Sequence, residues 1–255
     1  MRGDQDHHNQ QPLEPARTEL PPGLPDGSRI EPDALPGHGG LLLVPVAETG
    51  GAELMPQLLA WVEQTASVPP TVVELYGTIT IWTPGRAAVA TLADRLPRAT
   101  AAVTEFAATV AELAAIEGAI AVLWADYEAD LSCGFAVTVA DTGRLPKLAE
   151  RYRESMSLAG RLARLSPRVH RPPEHPPTLA GQIGERLRDR CRLADREEFA
   201  DDQLEVIVRL YEGCGQRASD RILAQREHVL TWVIVLLLAA ETVLLLVDLL
   251  AASGG

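Results

Sequence analysis

The chain has 255 residues and a formal net charge of −12, from 23 Lys and Arg against 35 Asp and Glu. That length allows one domain with tails or two small domains, and the acidic balance argues against nucleic acid as a partner because nothing steers the whole molecule toward phosphates. Three widely spaced cysteines, Cys133, Cys191 and Cys214, exclude a disulfide-dense secreted scaffold and fit a reducing compartment.

The first twenty residues lack an apolar run, so no secretory signal is expected. Residues 1–40 read as a disordered tail. Pro12, Pro15, Pro21, Pro22, Pro25, Pro32 and Pro36 punctuate a polar stretch that cannot bury enough apolar surface to offset its ordering entropy. Residues 41–165 read as an α/β cytoplasmic domain. Its first strand is the aliphatic run 41–46, bounded by glycines on both sides. Residues 53–66 follow with helical spacing at Leu54, Leu58, Leu59 and Val62.

After Pro69-Pro70 the chain turns β-rich. In 76–82, Ile79 and Ile81 alternate with Thr78 and Thr80, which predicts one apolar and one polar face. Residues 86–117 are alanine-rich and read as helical, divided by Pro97. Residues 120–124 and 134–139 read as further strands. Two strand–helix–strand halves would then be compatible with ferredoxin-like units.

Residues 146–165 form an arginine-rich amphipathic helix, and 166–177 a rigid linker built on Pro167, Pro172, Pro173, Pro176 and Pro177. Residues 178–228 are expected to be helical. Ile183, Leu187 and Cys191 recur every four residues, which makes Cys191 a small core residue. The close pair Gly213 and Gly215 marks a kink or a close helix crossing.

Residues 229–250 carry the strongest signal. At 1.5 Å per residue they span about 33 Å, against a hydrocarbon core near 30 Å. Fifteen of the 22 are Leu, Ile or Val, worth about −4.5 to −9 kcal/mol on an insertion scale. One carboxylic acid near the middle costs on the order of 2.5–3.5 kcal/mol, so insertion wins. A C-terminal transmembrane tail anchor is expected, and Arg217, Arg221 and Arg226 place the preceding bulk in the cytoplasm. Trp232 would sit at the cytoplasmic interface. Glu241 falls near the midplane and Asp248, seven residues on, shares its helical face. Pairing of Glu241 with another helix, plain tolerance of one acid, and an ion path are its three readings.

The motif Leu230-Thr231-Trp232 with Glu241 nine residues after the Trp resembles the C-terminal signature of the domain-of-unknown-function family that includes the Required for Meiotic nuclear Division proteins. Leu204-Glu205 and Leu210-Tyr211-Glu212 resemble the stretch before that family's long helix. Tyr76-Gly77-Thr78-Ile79-Thr80-Ile81-Trp82 is similar to its Tyr-Gly strand. Thr231 departs from the family's Glu, and 84–195 shows no correspondence. The resemblance implies a membrane-anchored protein with an α/β part and a helical part, without an established catalytic activity.

No motif fixes a reaction. There is no CxxC, HExxH, Gly-x-Ser-x-Gly or phosphate-loop pattern, so no cofactor, metal or catalytic residue is assigned. His38-Gly39-Gly40 lacks a nucleophile elbow to serve. Asp126, Glu128 and Asp130 form an acidic turn or, less commonly, a site for metal-assisted chemistry. Arg151, Arg161, Arg164 and Arg168 concentrate positive charge in an acidic chain, and anionic lipid, RNA or plain solvent with Glu150 and Glu154 as partners are the alternatives. The expectation is a tail-anchored adaptor that self-associates or binds a membrane partner through its C-terminal helices. A membrane-proximal enzyme with a pocket near Asp126, Asp130 and Cys133, or an accessory subunit of a transport complex, is the alternative.

Overall fold

A computed structural model of the chain describes residues 19–37, 39–47, 51–135 and 143–253, with the side chains of Phe135 and of 244–253 left aside. Its N-terminal part is a five-stranded mixed sheet, and helices follow. The strands are β1 (Arg29–Leu35), β2 (Gly39–Pro45), β3 (Thr71–Leu75), β4 (Thr78–Thr83) and β5 (Arg86–Thr91). The α-helices are α1 (Met55–Glu63), α2 (Leu96–Phe135), α3 (Leu145–Val169), α4 (Leu179–Arg190) and α5 (Leu193–Ser253).

The sheet order is β1-β2-β5-β4-β3. β2 and β5 run parallel, while the other neighbouring pairs are antiparallel. A two-residue turn joins β3 to β4. Tyr76 and Gly77 both have positive φ, 49° and 76°, the geometry that matches the twist of a tight hairpin. Tyr76 accepts this strained region and leaves its side chain exposed.

Four expectations are corrected here. First, β1 lies within the stretch read as a tail. Residues 1–18 and His38 are outside the described residues, but Leu35 is buried and β1 pairs along β2. Second, residues 86–91 form a strand rather than a helix. Small Ala87, Ala88 and Ala90 sit between β2 and β4 with no exposure, so tertiary pairing overrides their helical preference. Third, Pro97 opens α2 instead of dividing a helix, because a first-turn N–H has no partner to lose. Fourth, residues 120–124 lie inside α2, and so does Gly134. A single strand–helix–strand crossover therefore exists among the described strands, β2-α1-β3; residues 136–139 are outside the description.

The described residues form two compact units. The first comprises Met1–Leu113 and Pro167–Asp195, the second Ala114–Ser166 and Arg196–Gly255. In the first, one face of the sheet packs on α1. Leu42, Val44, Ile79, Ile81, Ala88 and Ala90 meet Leu58, Trp61 and Val62. Arg86 fastens the end of α1 to β5, donating to Trp61 O at 2.9 Å and Gln64 Oε1 at 3.0 Å, with its guanidinium over the Trp61 ring. The threonine face of β4 is buried too. Trp82 meets Phe106 of α2 edge-on at 4.9 Å, and Thr78 and Thr91 share a hydroxyl hydrogen bond of 2.7 Å. Thr178 caps α4, accepting from Gly181 N at 3.0 Å. The second unit is helical, with Ile116, Ile120, Leu123, Leu158, Leu162, Leu204 and Ile207 among its buried residues.

Candidate functional site: an uncovered apolar helix and a buried charge cluster

Two helices are long and apolar enough to cross a membrane, with windows of mean hydropathy 1.8 in Leu96–Gly134 and 1.5 in Leu193–Val243. They differ in burial. The α2 window is 44% buried, and Val103, Val110, Leu113, Ile116 and Ile120 supply that buried face. The α5 window is 0% buried. Every residue from 222 to 243 is exposed, including Leu230, Val233, Ile234, Leu236, Leu237 and Leu238. Such a band is far more apolar than a folded protein ordinarily leaves to water.

The few polar groups of this band are largely satisfied within the helix. Thr231 Oγ1 donates to Glu227 O at 2.8 Å, and Thr242 Oγ1 donates to Leu238 O at 2.7 Å. Trp232 Nε1 donates to His228 Nε2 at 3.1 Å, the two rings standing edge to face. A hydroxyl bonded back to its own helix needs no water. Arg226 is exposed just before the band. Glu241 is exposed and makes no hydrogen bond or ion pair among the described residues. Asp248 lies on the continuing helix, but its side chain falls outside the description.

The second feature lies among α2, α3 and α5 within the helical unit. Asp130 sits at the centre. Arg144 Nη2 reaches its Oδ1 at 2.6 Å, Arg151 Nη1 its Oδ2, and Tyr211 donates to Oδ2 at 3.3 Å. Arg151 also reaches Asp126 Oδ1 at 2.5 Å. Arg151 therefore does not belong to a lipid-facing row. It is buried, because one face of α3 carries it inward beside Leu148, Ser155 and Leu158. Arg161 is half-buried and Arg164 exposed. Arg168 is exposed and pairs with Glu112 at 3.5 Å.

Burial, together with the Asp130 charge, pushes the Tyr211 hydroxyl up to about 12. Burial likewise pushes the Cys214 thiol up to about 11, helped by Cys133 and Asp130 nearby. The helices approach closely here. A Cβ on Gly134 would stand 2.5 Å from Leu210 Cδ1, and one on Gly213 would stand 4.0 Å from Gly134 O. Gly213 thus marks a close crossing, and α5 continues through it as helix.

A cavity of about 160 Å3 adjoins Asp126, Asp130, Arg144, Lys147 and Arg151. Its carboxylates are engaged by guanidinium groups, an arrangement suited to holding helices rather than to moving a proton. Among the described residues no group of three or more His, Cys, Asp or Glu could hold a metal ion. Cys133 and Cys214 are buried, whereas Cys191 is half-buried at the end of α4, 3.5 Å from Thr71 Oγ1.

Comparison with protein-family models, curated proteins and solved structures finds no match. The site rests on this chain's own residues. The sequence groups Asp126 with Asp130 as one acidic cluster but leaves Arg151 apart from it, in the basic helix, and gives no sign of Arg144 and Tyr211 as partners. A signal was present: Asp126 and Asp130 stand four apart, as do Lys147 and Arg151, a spacing that puts each pair on one helical face. Reading 120–124 as a strand hid it.

Proposed function

We propose that this chain is a membrane-anchored adaptor, held by residues 229–250, which self-associates or binds a membrane partner through its C-terminal helix. The observation that carries this reading is the uninterrupted exposure of residues 222–243 on a helix whose 229–243 portion is almost wholly apolar. Lipid removes that surface from water without any protein partner. The internally bonded hydroxyls of Thr231 and Thr242 suit the same environment. Arg217, Arg221 and Arg226 precede the band and no Lys or Arg occurs within it, which favours the preceding bulk on the cytoplasmic side.

Glu241 supplies the contact. A carboxylic acid within hydrocarbon is costly alone and is relieved by a hydrogen bond across a helix–helix interface. The resemblance to the Required for Meiotic nuclear Division family supports the same reading through Trp232 and Glu241. A pocket enzyme would need a free acid at Asp126 or Asp130, and both carboxylates are engaged by arginines.

The test is crosslinking in native membranes of the wild type and of Glu241→Leu. Loss of the crosslinked species, homomeric or with a membrane partner, supports the adaptor reading. An unchanged crosslinking pattern removes Glu241 from it.

A further inference from the structure

A different place in the fold, independent of the membrane segment, gathers positive charge around a space. In the first unit a cleft of about 280 Å3 lies between α2, the 170–178 segment and α4. Arg98, Arg168, Arg171 and Arg188 all line it. They come from three stretches of the chain, so the fold and not one helical repeat brings them together.

Two of these arginines are already engaged. Arg168 reaches Glu112, and Arg171 bridges Glu105 at 3.2 Å and Glu174 at 2.8 Å. Glu174 is fixed in turn by Thr178 Oγ1, which donates to it at 2.7 Å. The guanidinium groups of Arg98 and Arg188 make no ion pair or hydrogen bond among the described residues. Arg188 is half-buried and folds back over Gly184, where an added Cβ would stand 3.3 Å from Nη1. Burial and the neighbouring Arg171 push its guanidinium below the ordinary value, against the pull of Glu185, Asp189 and Glu105. A partly buried cation beside a second cation gains from an anion that supplies the missing acceptors.

We infer that this cleft binds a phosphate group, taken up by the free guanidiniums of Arg188 and Arg98. The arginine fork matches a tetrahedral oxyanion, and the volume suits a small phosphorylated compound or a phosphate monoester headgroup. Glu105, Glu174 and Glu185 line the cleft as well, so four arginines face three carboxylates, and Arg171 already holds Glu105 and Glu174. Arg168 and Arg171, from the basic stretch of the sequence, belong to its rim.

The experiment titrates the full-length chain in detergent with two probes, pyrophosphate and short-chain phosphatidic acid, and reads binding by calorimetry. Saturable binding of either probe, weakened about tenfold or more in Arg188→Ala, is expected. Tighter binding of phosphatidic acid assigns a lipid headgroup, and tighter binding of pyrophosphate a free phosphate. Arg98→Ala, at an exposed position, carries the same test should Arg188→Ala fail to fold. Arg186→Ala removes an exposed charge of α4 outside the cleft lining and leaves binding unchanged. Absence of saturable binding by both probes overturns the inference. So does an Arg186→Ala loss equal to that of Arg188→Ala, because binding would then follow net charge.

Discussion

Asp130 on α2 and Arg151 on α3 form an ion pair withdrawn from water, their side chains 1% and 9% exposed. The pair joins two helices whose connecting residues 136–142 lie outside the description. Tyr211 adds α5 to the same carboxylate. A charge in this setting is costly unless its partners are in place.

Removing one partner is accordingly expected to be severe. Asp130→Ala leaves Arg151 with only Asp126 and should destabilise the fold by about 3–5 kcal/mol, read as a lowered thermal midpoint. The double variant Asp130→Leu with Arg151→Met should lose less than Asp130→Ala alone. Equal losses would mean that the pair's geometry, and not its charge, holds the helices.

Alkaline pH should loosen the same junction. Tyr211 and Cys214 are neutral when protonated, and the fold favours that neutral form, with values of about 12 and about 11 against ordinary 10.0 and 9.0. Their contribution is complete below the unfolded values and is lost as pH rises through the folded ones. Stability should therefore fall from about pH 9 upward, and tyrosinate absorbance should show Tyr211 ionising above its ordinary value. Tyr211→Phe should flatten the upper part of this decline. At neutral pH a maleimide should label Cys191 first and reach Cys133 and Cys214 only on unfolding.

The Gly134 crossing gives a steric test. Gly134→Ala places a Cβ 2.5 Å from Leu210 Cδ1, so Leu210 must turn away. A loss of about 1–3 kcal/mol is expected, measured by denaturant unfolding, and Leu210→Val should recover part of it in the double variant. No recovery would place the strain elsewhere.

Much of this architecture was legible and some was not, for physical reasons. The aliphatic run of β2 and the helix 55–63 follow from composition and spacing. The 71–82 β region is right in kind, but its alternation misled: Thr78 and Thr80 look solvent-facing, yet the second sheet face is covered and both are buried. β5 was hidden because alanine favours helix locally, while burial between two strands decides the outcome. Residues 120–124 read as a strand because a short apolar run carries no period of its own. The apolar band at 229–243 was legible since it needs no partner to be recognised. The Asp130 cluster was not, because it depends on three helices meeting, and single residues do not announce distant partners. The cleft at Arg188 escaped for the same reason.

Alkaline-carbonate extraction decides whether residues 229–250 lie in a membrane. The full-length chain is compared with a truncation ending at Arg226, expressed in the same cells. The full-length chain is expected to stay in the membrane pellet and the truncation to be released. Release of both would contradict it, and the exposed band on α5 would then need a protein partner to cover it.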